Sequence, residues 1–125
     1  MAGRAKKSST ARELAVAFAR IARDDNSDHI VLLDLRGISP VTDYFVICTG
    51  TSDRQLRTVA DDIARHGKQV GQKVWRVAGT QQAQWIAMDF VDVVVHLFDQ
   101  EHREYYDLEL IWGEAPHVNW QPEAE

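Results

Sequence analysis

Four groups of residues in this chain have types and spacings that could do chemistry. Thr49-Gly50-Thr51-Ser52 stands where a strand-like run ends and a helix-like run begins. Backbone N–H groups at such a junction can hold a phosphate. A dinucleotide fingerprint needs three glycines at set spacing and a P-loop needs Gly-Lys-Ser/Thr, and neither is present. A tight turn followed by a capped helix accounts for the four residues without a ligand. Asp89 and Asp92 form the kind of carboxylate pair that metal-assisted nucleotide transfer requires. In an unbroken strand, residues three apart point to opposite faces, so only a turn between them brings their side chains together. His96 and His102, with Asp99 and Glu101 between them, match no zinc spacing, and a single cysteine cannot supply a thiolate site. That cysteine, Cys48, lies in an apolar run rather than at an electropositive helix start, which makes it a small core residue rather than a nucleophile. These groups predict no enzyme, no metal and no cofactor.

Trp85 carries a different kind of signal. It opens a strand-like run behind the polar segment Thr80 to Gln84. By strand alternation Trp85, Ala87 and Asp89 share one face, and Ile86, Met88 and Phe90 share the other. The second set is the better core face, which leaves Trp85 and Asp89 facing outward together. A tryptophan so placed is either buried under further chain or an interface anchor beside a carboxylate, and alternation leaves both readings open.

The elements that must position these residues follow from periodicity and punctuation. Thr10 and Glu13 read as a capping box, with Leu14, Phe18, Ile21 and Ala22 at helical spacing, which predicts a helix over about 11–24. Ile30 to Leu33 with Leu35 reads as a buried strand that ends at Gly37 and Pro40. Tyr44 to Thr49 is a second strand, closed by Gly50. Ser52 and Gln55 read as another capping box before a helix lined by Leu56, Val59, Ala60, Ile63, Ala64 and Val70, with Gly67 and Gly71 where it weakens or ends. Lys73 to Val77 reads as a short strand. Trp85 to Phe90 and Asp92 to Phe98 are so close that an antiparallel hairpin turning at Asp89 to Asp92 is expected. Glu101 to Trp112 reads as one helix with Tyr105, Leu108, Ile111 and Trp112 on its apolar side, and Pro116 introduces a tail expected to be unstructured. The order predicts a single α/β domain, a mixed β-sheet with flanking helices around one core.

Composition bounds the function. The chain has 125 residues, 45% of them hydrophobic and 26% charged, ordinary values for one globular domain. Its longest apolar runs fall far short of the ~20 residues that span a bilayer, so no membrane partner is expected. No apolar stretch follows the basic start, and Cys48 has no partner for a disulfide; both point to the cytoplasm. Residues 89–125 hold ten Asp or Glu against the single Arg103, whereas residues 1–88 hold thirteen Lys or Arg against nine. The acidic part disfavours direct recognition of nucleic acid, because phosphate binding rests on clustered cations, and it suits a basic protein. Residues 1–9 are read as a disordered basic leader, 10–116 as the domain and 117–125 as an acidic tail.

Three ordered segments then carry a resemblance. Ser39-Pro40-Val41-Thr42-Asp43-Tyr44-Phe45-Val46-Ile47-Cys48-Thr49-Gly50-Thr51-Ser52, Trp85 through His96, and Glu101 to Tyr106 with Leu108 to Trp112 resemble the motifs of the Iojap-like family of ribosomal silencing factors over about residues 11–112. The resemblance implies a nucleotidyltransferase-like fold without working catalytic carboxylates. It further implies binding to the fourteenth protein of the large ribosomal subunit and hindrance of small-subunit joining, which represses translation. The family's contact surface corresponds to Trp85 and Asp89, with Tyr44, Asp92, His96 and Glu101 as weaker candidates. Two positions depart from the family pattern: Val91 stands where glycine is usual, and Ala78 where glutamate commonly precedes Gly79. The competing readings are a nucleotide-binding or nucleotidyl-transferring enzyme on the same fold, and a plain oligomerisation module such as a homodimer.

Overall fold

The protein is described by a computed structural model over residues 10–121. The expected leader, residues 1–9, lies outside the described residues, as do residues 122–125. The elements run α1 (Ala11–Asp24), β1 (Asp28–Asp34), β2 (Tyr44–Gly50), α2 (Asp53–Gln69), β3 (Arg76–Ala78), β4 (Trp85–Asp89), β5 (Val93–Asp99), α3 (Gln100–Tyr106) and α4 (Leu108–Ile111). The five strands form one mixed sheet in the order β1-β2-β5-β4-β3. Only the central β2–β5 pair is parallel, and the expected β4–β5 hairpin pairs antiparallel.

Local chemistry explains the first helix as expected. Thr10 Oγ1 accepts from the Glu13 amide at 3.1 Å, and Glu13 Oε1 accepts from the Thr10 amide at 3.0 Å, which satisfies two N–H groups that a helix start leaves orphaned. The helix buries Leu14, Ala15, Phe18, Ala19 and Ala22. The second helix buries Leu56, Val59, Ala60 and Ile63 and continues through Gly67 to Gln69. Gly67 is required by packing: a Cβ there would lie 2.6 Å from the Gln72 carbonyl oxygen and 2.8 Å from the Phe90 ring. The chain leaves the helix at Gly71, at φ +80, a conformation that suits glycine.

Both faces of the sheet are covered, so the single expected core is two clusters. On one face α1 and α2 pack over Val46, Cys48, Ile86, Met88, Val93, Val95 and Leu97. On the other, Leu33, Leu35, Ile47 and Phe98 pack under Leu108 and Ala115, with Phe45, Trp85 and Trp112 partly buried among them. The second cluster requires the C-terminal segment to fold back, and three expectations about that segment need correction. The single helix over 101–112 is broken at Asp107, whose φ of +45 ends α3 before α4 begins. Of its supposed apolar side Leu108 is buried, whereas Tyr105 and Ile111 are exposed. Residues 117–121, expected to be unstructured, run along β1. There the Val118 amide donates to the Leu32 carbonyl at 2.8 Å, Trp120 Nε1 donates to the Ile30 carbonyl, and Arg20 Nε donates to the Trp120 carbonyl at 2.7 Å. Strand β3 is also displaced, to 76–78 rather than 73–77, and its residues are all exposed.

Candidate functional site

The strand-to-helix junction after β2 is occupied by the protein's own side chains. Ser52 Oγ accepts from the Gln55 amide at 3.1 Å, as a cap should. The Gln55 side chain does not close the expected capping box; its Oε1 accepts from the Thr51 amide at 2.6 Å, and its Nε2 donates to the carbonyls of Asp25 and Asn26. Gly50 is packed so closely on Leu56 that a Cβ would come within 2.5 Å of it. An amide that would face a phosphate is thus already taken by Gln55. Behind this junction Arg103, which the sequence reading did not single out as functional, is buried, with Nη1 donating to Thr49 Oγ1 at 2.7 Å and Nε and Nη2 donating to Glu109. That pairing holds the Glu109 carboxyl below its ordinary range. It ties β2 to α3 and α4. Cys48 is fully buried, and desolvation pushes its thiol up to about 12, which suits a core residue.

Strand β4 carries the pair singled out by alternation, and the face assignment is as expected. Ile86 and Met88 are buried, while Trp85, Ala87 and Asp89 lie partly exposed on the opposite face. Trp85 is not a free anchor. Its ring stacks on Phe98 at a centroid distance of 5.0 Å and meets Tyr106 at 4.4 Å, and its Nε1 donates to His96 Nδ1 at 3.0 Å. That hydrogen bond fixes the His96 tautomer with the proton on Nε2, an atom buried without a partner among the described residues. Burial brings the His96 pKa down to about 4, so the ring is neutral. His102 instead pairs through Nδ1 with Asp99, the cap residue of α3, at 2.8 Å, so the two histidines are not brought together.

Of the six candidate contact residues, the structure removes two from any surface. Tyr44 is buried at the start of β2, and His96 is buried beneath Trp85 and against Phe45. The remaining four divide between the two ends of the sheet. Trp85 pairs in register with Phe98, and exposed Glu101 lies nearby in the first turn of α3; Asp89 pairs with Val94 at the other end of β5, beside exposed Asp92. Four residues of extended strand put Trp85 and Asp89 about 13 Å apart.

At the Asp89 end the turn is tight. Asp89 Oδ1 accepts from the Val91 amide at 2.7 Å, and the Asp92 amide donates to the Phe90 carbonyl across Val91 at 3.0 Å, a three-residue turn. Val91 is held at φ +77, where a β-branched residue is strained. Around Asp89 opens a hollow of about 340 Å³ lined by Val41, Thr42, Trp75, Asp89, Val91 and Val94. Trp75, at 64% exposure and just ahead of β3, went unremarked in the sequence, where it falls within the short strand expected over Lys73 to Val77. Among the described residues no cluster of three His, Cys, Asp or Glu is placed to hold a metal ion, and no helix is long and apolar enough to cross a membrane.

Comparison with known proteins adds a family to this geometry. The sequence model of a family described as "Ribosomal silencing factor during starvation" matches residues 8–125. A Bacillus subtilis protein named ribosomal silencing factor RsfS is 43% identical over 74% of this chain and 79% of its own length. One of the same name from Halalkalibacterium halodurans is 36% identical over 86% of this chain and 92% of its own. A crystal structure of a Chromobacterium violaceum protein superposes with a TM-score of 0.80 at 27% identity, covering 83% of this chain and 87% of that one.

Proposed function

We propose a mode of action from one premise, that this chain belongs to the ribosomal silencing factor family. The protein binds the large ribosomal subunit through its fourteenth protein, in the cytoplasm, and blocks association with the small subunit by occupying surface that the small subunit needs. Translation falls because joined ribosomes become scarce. The observation that carries this reading is the family match, which runs from residue 8 to the end of the chain.

The geometry supports a binding role without catalysis. At the strand-to-helix junction, where a nucleotide phosphate would be held, Gln55 takes the Thr51 amide. The surface residues proposed for contact are Trp85, Asp89, Asp92 and Glu101, three of them carboxylates that suit a basic ribosomal protein and repel an RNA backbone. Long-range attraction between this acidic surface and a basic partner raises the encounter rate and weakens with salt.

Co-sedimentation with separated subunits tests the proposal. The protein should pellet with large subunits and not with small ones, and adding it before the small subunit should lower the yield of joined particles. Equal recovery with both subunits, or with neither, would refute it.

A further inference from the structure

We infer that the centre of the contact is the hollow at the Asp89 end of the sheet, where Trp75, Val41 and Val91 receive an arginine or lysine side chain of a basic protein segment. This rests on the ribosomal reading above and adds to it both the anchoring residues and the chemistry of the inserted group.

Exposure points to the hollow first. Val41, Trp75 and Val91 are 79%, 64% and 56% exposed, and three large apolar side chains from separate loops meet around one carboxylate. The ring of Trp85 is already packed on Phe98 and Tyr106, whereas Trp75 makes no aromatic pair among the described residues and carries Arg76 over its ring, with Cζ 4.7 Å from the centroid. Thr42, nine-tenths buried in the wall of the hollow, has a hydroxyl with no hydrogen-bond partner among the described residues.

Backbone strain is the second observation. A valine in left-handed backbone costs about 1–2 kcal/mol. Its side chain is mostly in solvent and belongs to neither core cluster, so no packing of the isopropyl group offsets that cost, although the turn itself closes the β4–β5 hairpin. The strain is accounted for if the isopropyl group is a wall of a binding site.

Charge selects the occupant. Asp43, Asp89 and Asp92 gather at this corner, where the Asp43 and Tyr44 amides both donate to the Asp92 carbonyl. Against them stands Arg76, in register with Asp89, while Arg36 is held by Asp34 at 2.7 Å. Asp89 uses one carboxylate oxygen on Val91, and the other makes no hydrogen bond among the described residues. An aliphatic stem ending in a cation fits: the stem lies on valine and indole, and the cation meets the carboxylate and the indole face. A phosphate backbone would meet three carboxylates and is disfavoured.

The experiment measures binding of the full chain to purified large subunits and, separately, to protein-free RNA extracted from them, alongside urea denaturation of each variant. Trp75→Ala and Val41→Lys should each weaken large-subunit binding tenfold or more, the lysine by repelling the inserted cation, with denaturation midpoints close to wild type because both side chains are exposed. Asp89→Asn should weaken binding and flatten its salt dependence. Wild-type binding with both Trp75→Ala and Val41→Lys unaffected would overturn the inference and leave the ribosomal reading standing. Failure of the wild-type chain to bind large subunits would sink that reading itself. Binding to protein-free RNA that matches the intact subunit and tightens in Asp89→Asn would overturn the inference in favour of a nucleic-acid contact.

Discussion

Replacing Trp85 by alanine should destabilise the fold, and the size of the effect follows from what the ring touches. A largely packed tryptophan removes at least ~150 Å² of apolar surface from water, worth about 4 kcal/mol at ~25 cal/mol per Å². Its indole N–H also donates to His96 Nδ1 at 3.0 Å, and removing it leaves both nitrogens of a buried imidazole without partners, a further cost of about 1 kcal/mol or more. Partial collapse of Phe98 and Tyr106 into the gap offsets some of this, so the net loss is about 3–5 kcal/mol. With a urea dependence of ~2 kcal/mol per molar, the midpoint of unfolding followed by circular dichroism should fall by about 2 M. Trp85→Phe keeps the aromatic stack and loses the donor, and should cost about 1–2 kcal/mol. A midpoint shift under about 0.5 M for the alanine variant would mean that the indole is an exposed anchor after all. The same numbers warn that lost ribosome binding in Trp85→Ala reports on folding as well as contact, and that the phenylalanine variant is the cleaner probe.

Three further outcomes are expected. The folded-state pKa of His96 is depressed from the ordinary 6.5 to about 4, so the unfolded chain binds the extra proton first and stability is lost as pH falls through that window. Wild type should therefore lose about 3 kcal/mol between pH 7 and pH 4 relative to His96→Gln, measured as the difference of their urea curves; parallel curves would place His96 in water. Val91→Gly should raise stability by about 0.5–1 kcal/mol in thermal or urea melts by relieving the positive φ, and an unchanged or lower midpoint would show the turn to be unstrained. Val118→Asp should cost about 2 kcal/mol or more by placing an unpaired carboxylate under the strap along β1, and a midpoint equal to wild type would show that residues 117–121 are not docked.

What was legible in the sequence was what neighbours decide. The Thr10–Glu13 capping box is a contact three residues long, and the alternation from Trp85 to Phe90 is a property of extended backbone, so the α1 boundary and the two faces of β4 could be read directly. Gln55 shows the limit of such reading. Its spacing from Ser52 suggests a capping box, yet the side chain goes to Thr51 and across to the end of α1, contacts that need the tertiary fold. Asp107 breaks a good helical pattern because Leu108 and Arg103 are drawn to different partners on the sheet, which no local period records. Tyr44 and His96 matched a motif, but burial decides whether a matched side chain reaches a surface. Trp75 had no motif, and its hollow exists only because residues 41, 75 and 91 converge. The docked strap was hidden for the same reason: Val118 and Trp120 sit in a polar, proline-flanked stretch, and their burial depends on β1, far away in the chain.

The strand order also dictates when this protein can come into being. The one parallel pair among the described strands joins segments roughly fifty residues apart, Tyr44 to Val93, and β1 is joined on its outer edge by His117 and Val118. A partial chain emerging from a ribosome can close the β1–β2 hairpin, but α1 and α2 have no finished sheet to cover until β5 arrives. Long loops must therefore close before much apolar surface is rewarded, which makes for slow folding and for an aggregation-exposed interval. The strap that seals β1 is synthesised after all five strands, so the edge of the sheet is completed only once residues 117–121 have folded back across Leu32 and Ile30.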